Sequence, residues 1–299
     1  MRIVHAESGT KLSGGSVVAL GDFDGLHLAH MAIIRSGIRY AQEQGLQSGI
    51  LLFENNSKGT KLITPNRIKM ELLEREQPDF VYLQKFTKDF MRLSPREFVE
   101  LLVQCLEVRA VCVGYDYSFG YKAEGDVAML KKFGAEYGFE VLVTDAVQLD
   151  GQLVSSTNIR RMLENGEIWG ANHFLGRSFC IEGTVLSGLQ NGRKMGIPTA
   201  NVQYDAQMVL PGNGVYAGIT ETDGRRLQSV VNVGMNPTFG AEVITIESHI
   251  LDFNEDLYGK QIRVFFEQRL RGDIKFNSMD ALKAQIMRDI EQTRAMKLV

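Results

Sequence analysis

The sequence predicts two folds in series: an α/β domain on a mostly parallel sheet, then a small antiparallel β-barrel that ends in a helix. Three observations predict it. Short apolar runs alternate with helix-like runs from Ser16 to about Asp150. After Trp169 the texture changes to strand-like runs broken by Gly, Asn, Asp and Pro. A length of 299 residues also suits two domains better than one.

In the first half the expected strands are Val17–Leu20, Gly49–Phe53, Phe80–Leu83, Ala110–Val113 and Val141–Thr144. Helical runs lie between them at Leu28–Gln44, Arg67–Arg75, Pro95–Leu106 and Asp126–Tyr137. Pro95 after Ser94 suits the first turn of a helix. Strand–helix alternation of this kind places ligands beyond the carboxyl ends of the strands. In the second half the expected strands are Phe179–Val185, Val215–Thr220, Gln228–Val233, Val243–Phe253 and Gln261–Arg269, with a hairpin turn at Thr222-Asp223-Gly224. The closing helix, Met279 to Met296, is capped by Ser278 and packs through Leu282, Ile286, Ile290 and Thr293. A boundary near Gly170–Gly176 gives domains 1–170 and 171–299.

Composition narrows the function class. Lys plus Arg total 33 against 36 Asp plus Glu, a formal net charge of -3, unlike a strongly basic nucleic-acid binder. Cys105, Cys112 and Cys180 are scattered in apolar surroundings, which suits reduced core thiols and neither a disulfide framework nor a metal cluster. The opening MRIVHAESGTKLSG lacks the basic start and apolar run of a signal peptide, and no stretch nears the roughly 18 apolar residues of a membrane span. A cytoplasmic setting is expected, without nucleic-acid or membrane partners; the oligomeric state is open.

The most informative run is GDFDGLHLAH, Gly21 to His30, directly after the apolar Val17–Leu20. A strand there turns through a loop containing Gly21, Asp22, Phe23 and Asp24 into a helix, with His27 and His30 one turn apart. Unpaired N–H groups at a helix start favour anions. No third ligand stands at close spacing, so polyphosphate suits the pair better than a metal ion. A second run, Ser155-Ser156-Thr157-Asn158-Ile159-Arg160, puts hydroxyls at another helix start with Arg160 four residues after Ser156. Taken singly, each of these reads as a cap or surface charge; together they favour phosphate chemistry.

The second half has its own polar constellation. In GRKMGIPTAN, Gly192, Arg193 and Gly196 suit a phosphate-facing loop, and Thr199 and Asn201 project to one side if extended. Their hard oxygens can help organise a magnesium–nucleotide complex. Alternation in Val243–Phe253 puts Ile244, Ile246 and Ile250 on an apolar face and Glu247 on the other, beside Thr245 and His249. Asn232, Pro237, Thr238 and Phe239 lie in a loop-forming stretch, and Arg263 can meet phosphate or surface carboxylates.

With these segments in this order, the whole chain resembles the bacterial bifunctional riboflavin kinase/FMN adenylyltransferases, or FAD synthetases. GDFDGLHLAH and SSTNIR are similar to the family's paired nucleotide-transfer motifs, GYDYSFG with Gly114 and Asp116 to a further one, and PTAN with the Glu247 strand to the kinase motifs. The resemblance implies a nucleotidyltransferase-like α/β domain followed by a riboflavin-kinase-like barrel. It implies that riboflavin becomes FMN and FMN becomes FAD, with ATP as co-substrate and Mg2+ in both steps. It gives Glu247 the role of base for the ribityl hydroxyl, and His27, His30 and Arg160 the triphosphate. Two departures stand out: Ala29 replaces a glycine, and Phe53-Glu54-Asn55-Asn56 replaces an FxPHP-like run, leaving Asn55 to meet phosphate or flavin without imidazolium charge. The alternatives are a kinase whose adenylyltransferase half is inactive and a noncatalytic flavin-binding regulator.

Overall fold

The computed structural model describes residues 1–8, 11–54, 59–186, 196–236 and 243–298, which fall into two compact units, Met1–Ser156 and Thr157–Val299. The first contains β1 (Arg2–His5), β2 (Ser16–Leu20), α1 (Leu28–Gln44), β3 (Gln47–Phe53), α2 (Asn66–Glu76), β4 (Phe80–Gln84), α3 (Lys88–Met91), α4 (Pro95–Leu106), β5 (Val108–Gly114), α5 (Val127–Tyr137) and β6 (Glu140–Thr144). A two-stranded ribbon, β7 (Gln148–Leu149) with β8 (Gln152–Leu153), precedes α6 (Ser156–Glu164).

The six long strands form one sheet in the order β1-β4-β3-β2-β5-β6, and all its pairings are parallel. β2 is buried along its whole length, as a central strand covered on both faces must be. The chain leaves β2 toward β3 on one side and returns to β5 on the other. The order therefore reverses between β2 and β5, where parallel sheets open a crevice. Every helix expected here forms. Ser94 caps α4 in a reciprocal capping box with Glu97, with Pro95 in the first turn, and Asp126 caps α5. The sequence reading missed β1, a four-residue edge strand with only Val4 buried and hence no period to detect.

The second unit contains α7 (Ile168–Leu175), β9 (Phe179–Leu186), β10 (Ala200–Tyr204), β11 (Gly214–Thr222), β12 (Arg225–Asn236), β13 (Val243–Ile250), β14 (Gln261–Arg271) and α8 (Met279–Ala295). The six strands close into an antiparallel barrel in the order β10-β13-β12-β11-β14-β9, which leaves no free sheet edge. Asp223 and Gly224, both at positive φ, make the two-residue turn between β11 and β12. β13 stops at Ile250, short of the expected Phe253, because Asp252 takes a left-handed turn at φ 55. The stretch expected as a boundary is the helix α7, closed by Gly176. Inside the barrel Tyr216 packs edge-on against Phe266, which also meets Phe179 at a tilt, and Thr220, Ser229 and Ser248 form a buried hydroxyl cluster. Cys112 is fully buried in the first unit, and that burial pushes its thiol up to about 12, as an inert core thiol requires.

α8 covers part of the barrel's outer surface. Ser278 caps it, and Ile286 and Ile290 pack with Val215, Val230 and Leu251. One buried ion pair fastens it: Arg271 donates from Nε and Nη2 to the Asp289 carboxylate at 2.9–3.2 Å, and Gln285 donates to the same group at 2.9 Å. The Asp289 side chain is 3% exposed, whereas the Arg294–Asp252 pair is 52% and 73% exposed. Removing one partner of a buried pair strands the other charge, while an exposed pair contributes little. Asp289→Ala should therefore lower the unfolding free energy of the second unit by about 3 kcal/mol in urea. Asp252→Asn should lower it by less than about 1 kcal/mol.

Candidate functional site

The first polar site is built on the crevice between β2 and β5. Ala19 stands opposite Cys112, so the two chain exits at Gly21 and Gly114 leave the sheet side by side. After β2 the chain turns sharply, with Phe23, Gly25 and Leu26 all at positive φ. Phe23 is fully buried, and that packing holds a conformation a side chain ordinarily avoids. A Cβ on Gly21 would lie 2.9 Å from the Phe23 ring, so glycine is needed for this close approach.

The turn delivers His27 as the N-cap of α1. Its Nδ1 accepts the His30 N–H at 3.3 Å, which places the neutral ring's proton on Nε2. The two imidazoles stack with centroids 3.5 Å apart, and Phe23 packs edge-on against His30 at 5.3 Å. Both rings are thus fixed at a helix N-terminus, where backbone N–H groups and the helix dipole favour anions. Ala29 sits in the first turn of this helix, a geometry alanine adopts without strain.

Asp24 has a different task from Asp22. Its buried carboxylate accepts the N–H groups of Ile63 at 3.0 and 3.1 Å and of Thr64 at 3.2 Å. Its own carbonyl accepts the Ser156 hydroxyl at 2.8 Å. Asp24 therefore clasps three segments: its own loop, residues 63–64 and the start of α6. Asp22 is half-buried in the same loop. Ser155 and Ser156 are half-buried and Thr157 is exposed; Arg160 lies one turn further along α6, in the second unit. Beyond β5, the exposed Asp116 folds back so that its Oδ1 would touch a Cβ on Gly114 at 3.2 Å. Asn55 lies outside the described residues, as do Gly192, Arg193, Pro237, Thr238 and Phe239.

The second site is a row across three barrel strands. Asn201 on β10 stands opposite Glu247 on β13, which stands opposite Asn232 on β12. Directly opposed residues share a sheet face, and the neighbours Ala200, Ser248 and Val231 are buried inside. The three polar side chains therefore lie together on the outer face. Thr199 joins them, its hydroxyl donating to Glu247 at 3.4 Å. Burial holds the Glu247 carboxyl above the usual carboxylate range, and the Thr199 hydrogen bond only partly offsets that shift. Alternation behaves as expected, with Ile246 and Ile250 inside, but the intervening inward residue is Ser248.

A cavity of about 400 Å³ opens beside this row, lined by residues including Pro198, Thr199, Asn201, Ser248, Phe253 and Leu257. The sequence reading did not foresee that residues 253–258 form a wall of this cavity. Gly196 is exposed at φ 75 at the start of this stretch. Arg263, expected at phosphate or at a surface carboxylate, pairs with Glu182 at 2.9 Å, both side chains under 20% exposed. Among the described residues no group of three or more His, Cys, Asp or Glu could hold a metal ion, and no helix is long and apolar enough to cross a membrane.

Comparison with known proteins covers both units. A family model described as FAD synthetase matches residues 10–158, and one described as riboflavin kinase matches residues 175–297. Proteins named bifunctional riboflavin kinase/FMN adenylyltransferase are similar along nearly the full chain. The one from Listeria monocytogenes is 37% identical, covering 93% of this chain and 91% of its own length. Those from Haemophilus influenzae and Escherichia coli are 35% and 36% identical, covering 94% and 92% of this chain and 94% and 90% of their own lengths. A crystal structure from Streptococcus pneumoniae, described as a macrolide-efflux protein, superposes with a TM-score of 0.91 at 28% identity, covering 99% of this chain and all of that one.

The Asp24 clasp makes a prediction independent of any ligand. Asp24→Ala leaves the buried Ile63 and Thr64 N–H groups without their acceptor, at about 1–3 kcal/mol. Urea unfolding of the first unit should shift by that amount, and amide exchange at Ile63 and Thr64 should quicken. Unchanged exchange would show that Asp24 does not fasten the loop.

Proposed function

The chain belongs to the bacterial bifunctional riboflavin kinase/FMN adenylyltransferases, and we propose how its residues divide the two reactions. The enzyme phosphorylates riboflavin to FMN and adenylylates FMN to FAD, using ATP in both steps. We assign adenylyl transfer to residues 1–170 and phosphorylation to residues 171–299. The observation that carries the kinase assignment is the row Asn201–Glu247–Asn232, with Thr199 on the same carboxylate.

In the kinase half, Glu247 accepts the proton of the ribityl hydroxyl as that oxygen attacks the γ-phosphorus of ATP, and ADP departs. A carboxyl raised by burial is a better proton acceptor than an exposed one. Phosphoryl transfer otherwise depends on alignment and charge stabilisation, which the neighbouring amides and hydroxyl provide. Thr199 and Asn201 offer two neutral, hard oxygens and no protein cage. That donor set fits Mg2+ arriving on the phosphates of ATP, since the ion keeps water and phosphate oxygens and takes few protein ligands. Bound there, it would draw charge from the triphosphate. Gly192, Arg193 and Gly196 precede these residues in sequence and are assigned to the phosphates. Asn232 orients the flavin hydroxyl, and Arg263 stays with the Glu182 carboxylate.

In the adenylyltransferase half, an oxygen of the FMN phosphate attacks the α-phosphorus of ATP and pyrophosphate leaves. That oxygen is already anionic near neutrality, so no general base is required. The work is charge compensation: His27, His30 and the start of α1 receive the triphosphate, and the run Ser155, Ser156, Thr157 to Arg160 is assigned to the transferred group on its sequence motif. Gly21, Asp22, Phe23 and Asp24 shape the turn that aims the imidazoles. Gly114 and Asp116 border the adjoining strand exit, and Asn55 lies at the exit of β3.

Incubation with riboflavin, ATP and magnesium should show FMN appearing before FAD when both are resolved over time. FMN without FAD would restrict the chain to kinase activity. Glu247→Gln should lower FMN formation by about 10²–10⁴-fold while FAD formation from supplied FMN persists. His30→Ala should do the reverse, cutting adenylylation by about 10²-fold or more.

The raised Glu247 pKa also fixes the sign of a stability effect. The folded chain holds this proton more tightly than the unfolded chain, so its favourable contribution is full below the ordinary value of 4.5 and is lost as pH rises through the folded value. Glu247→Gln should therefore melt at or above the native temperature at pH 7, with the gain shrinking toward pH 4. A lower melting temperature at pH 7 would show that the carboxylate is held by favourable partners rather than exposed to a burial cost.

A further inference from the structure

The strand that bears Glu247 also bears His249 on the same outer face, outside the row Asn201–Glu247–Asn232. Its Nδ1 lies 2.7 Å from the carbonyl oxygen of Pro198. A carbonyl can only accept, so this contact requires the proton on Nδ1. The partner matters. Pro198 immediately precedes Thr199, and having no N–H it cannot be fastened by donating to a neighbouring strand. Strand β10 begins only at Ala200, opposite Ser248. Between Gly196, at positive φ, and Ala200, two side-chain contacts among the described residues reach β13: the His249 imidazole on the Pro198 carbonyl and the long 3.4 Å contact from Thr199 to Glu247. Pro198 and Thr199 both line the cavity.

We propose that His249 is a positioning residue of the kinase centre: its Nδ1–H grips the Pro198 carbonyl and so sets where Thr199 and Asn201 present their oxygens to the metal–nucleotide. The geometry explains why the grip comes from a side chain. The approach to Thr199 must leave the ladder so that the cavity stays open on one side, yet its oxygens must be held within a few tenths of an ångström to be useful. A donor reaching from the next strand meets both demands, because it fixes one carbonyl and closes no further backbone pairing. His249 acts through Thr199 and Asn201 and touches no reacting atom.

This inference rests on the kinase assignment for its catalytic readout, so the test includes one measurement that does not. Asn Nδ2 occupies the place of His Nδ1, whereas Leu has similar bulk and no donor. His249→Leu should raise KM for Mg·ATP about tenfold, with KM for riboflavin and adenylylation of supplied FMN within about twofold of native. It should also quicken amide exchange at Thr199, Ala200 and Asn201. His249→Asn should restore both readouts to within about threefold of native. Should His249→Leu not fold, His249→Asp replaces it, presenting only acceptors to the carbonyl, and is expected to behave as the leucine variant. Equal behaviour of the Asn and Leu (or Asp) variants, or unaltered exchange at residues 199–201, would overturn the proposal. A native chain that makes no FMN would sink the kinase assignment instead, while the exchange comparison would still decide the role of His249.

Discussion

Strand register is the constraint on which both chemistries rest. In the barrel, Asn201, Glu247 and Asn232 come from segments far apart in sequence and meet only because β10, β13 and β12 pair in one particular alignment. Side chains alternate faces with a period of two, so a slip of one residue would send Glu247 inside and bring Ser248 or Ile246 out. The buried side chains Ile246 and Ile250 on β13 resist that slip, since they would have to turn outward with it. In the parallel sheet, the alignment of Ala19 with Cys112 brings the Gly21 and Gly114 exits to one level at the point where strand order reverses. Neither site is a feature of one loop; each is a consequence of which residues face each other across hydrogen-bonded strands.

The sequence was most legible where one local signal sufficed. The first turn at Pro95, the Ser278 cap, the Asp223-Gly224 turn and the alternation around Glu247 each depend on a few neighbouring residues. The illegible parts depend on distant partners. Asp24 reads as a loop carboxylate suited to a ligand, and only the fold shows it capping the N–H groups of Ile63 and Thr64. Arg263 reads equally as a phosphate or carboxylate partner until Glu182 on the adjoining strand is placed beside it. The edge strand Arg2–His5 was invisible because a short strand with one buried residue has no period. His249 could have been noticed from its place two residues after Glu247, but its partner carbonyl lies in a stretch whose path no local pattern fixes.

Two carboxylates illustrate how environment assigns different work to the same chemical group. Asp24 is buried and surrounded by backbone donors, so its negative charge is solvated by the chain and serves to hold loops together. Glu247 is partly buried with one weak donor, so its charge is left poorly solvated. The first arrangement favours stability and the second favours reactivity, because a group that is costly to keep ionised gains most by taking up a proton. Exchanging the two environments would leave the kinase with a placid base and the phosphate-binding turn without its anchor.

The departures at positions 29 and 53–56 act on a site of a different kind. Adenylyl transfer between two phosphates needs positive potential and alignment, and no single base whose loss would be absolute. The potential in the first unit comes from more than one source, the N–H groups at the start of α1 and the paired imidazoles. Replacing one imidazole by an amide at the β3 exit removes one contribution from a sum. Ala29 removes none, since the helix it occupies is intact and its turn is set by Phe23, Gly25 and Leu26 upstream. Under the proposed assignments, withdrawing one charge from such a site lowers its rate without abolishing it, whereas proton transfer in the kinase half is concentrated on Glu247.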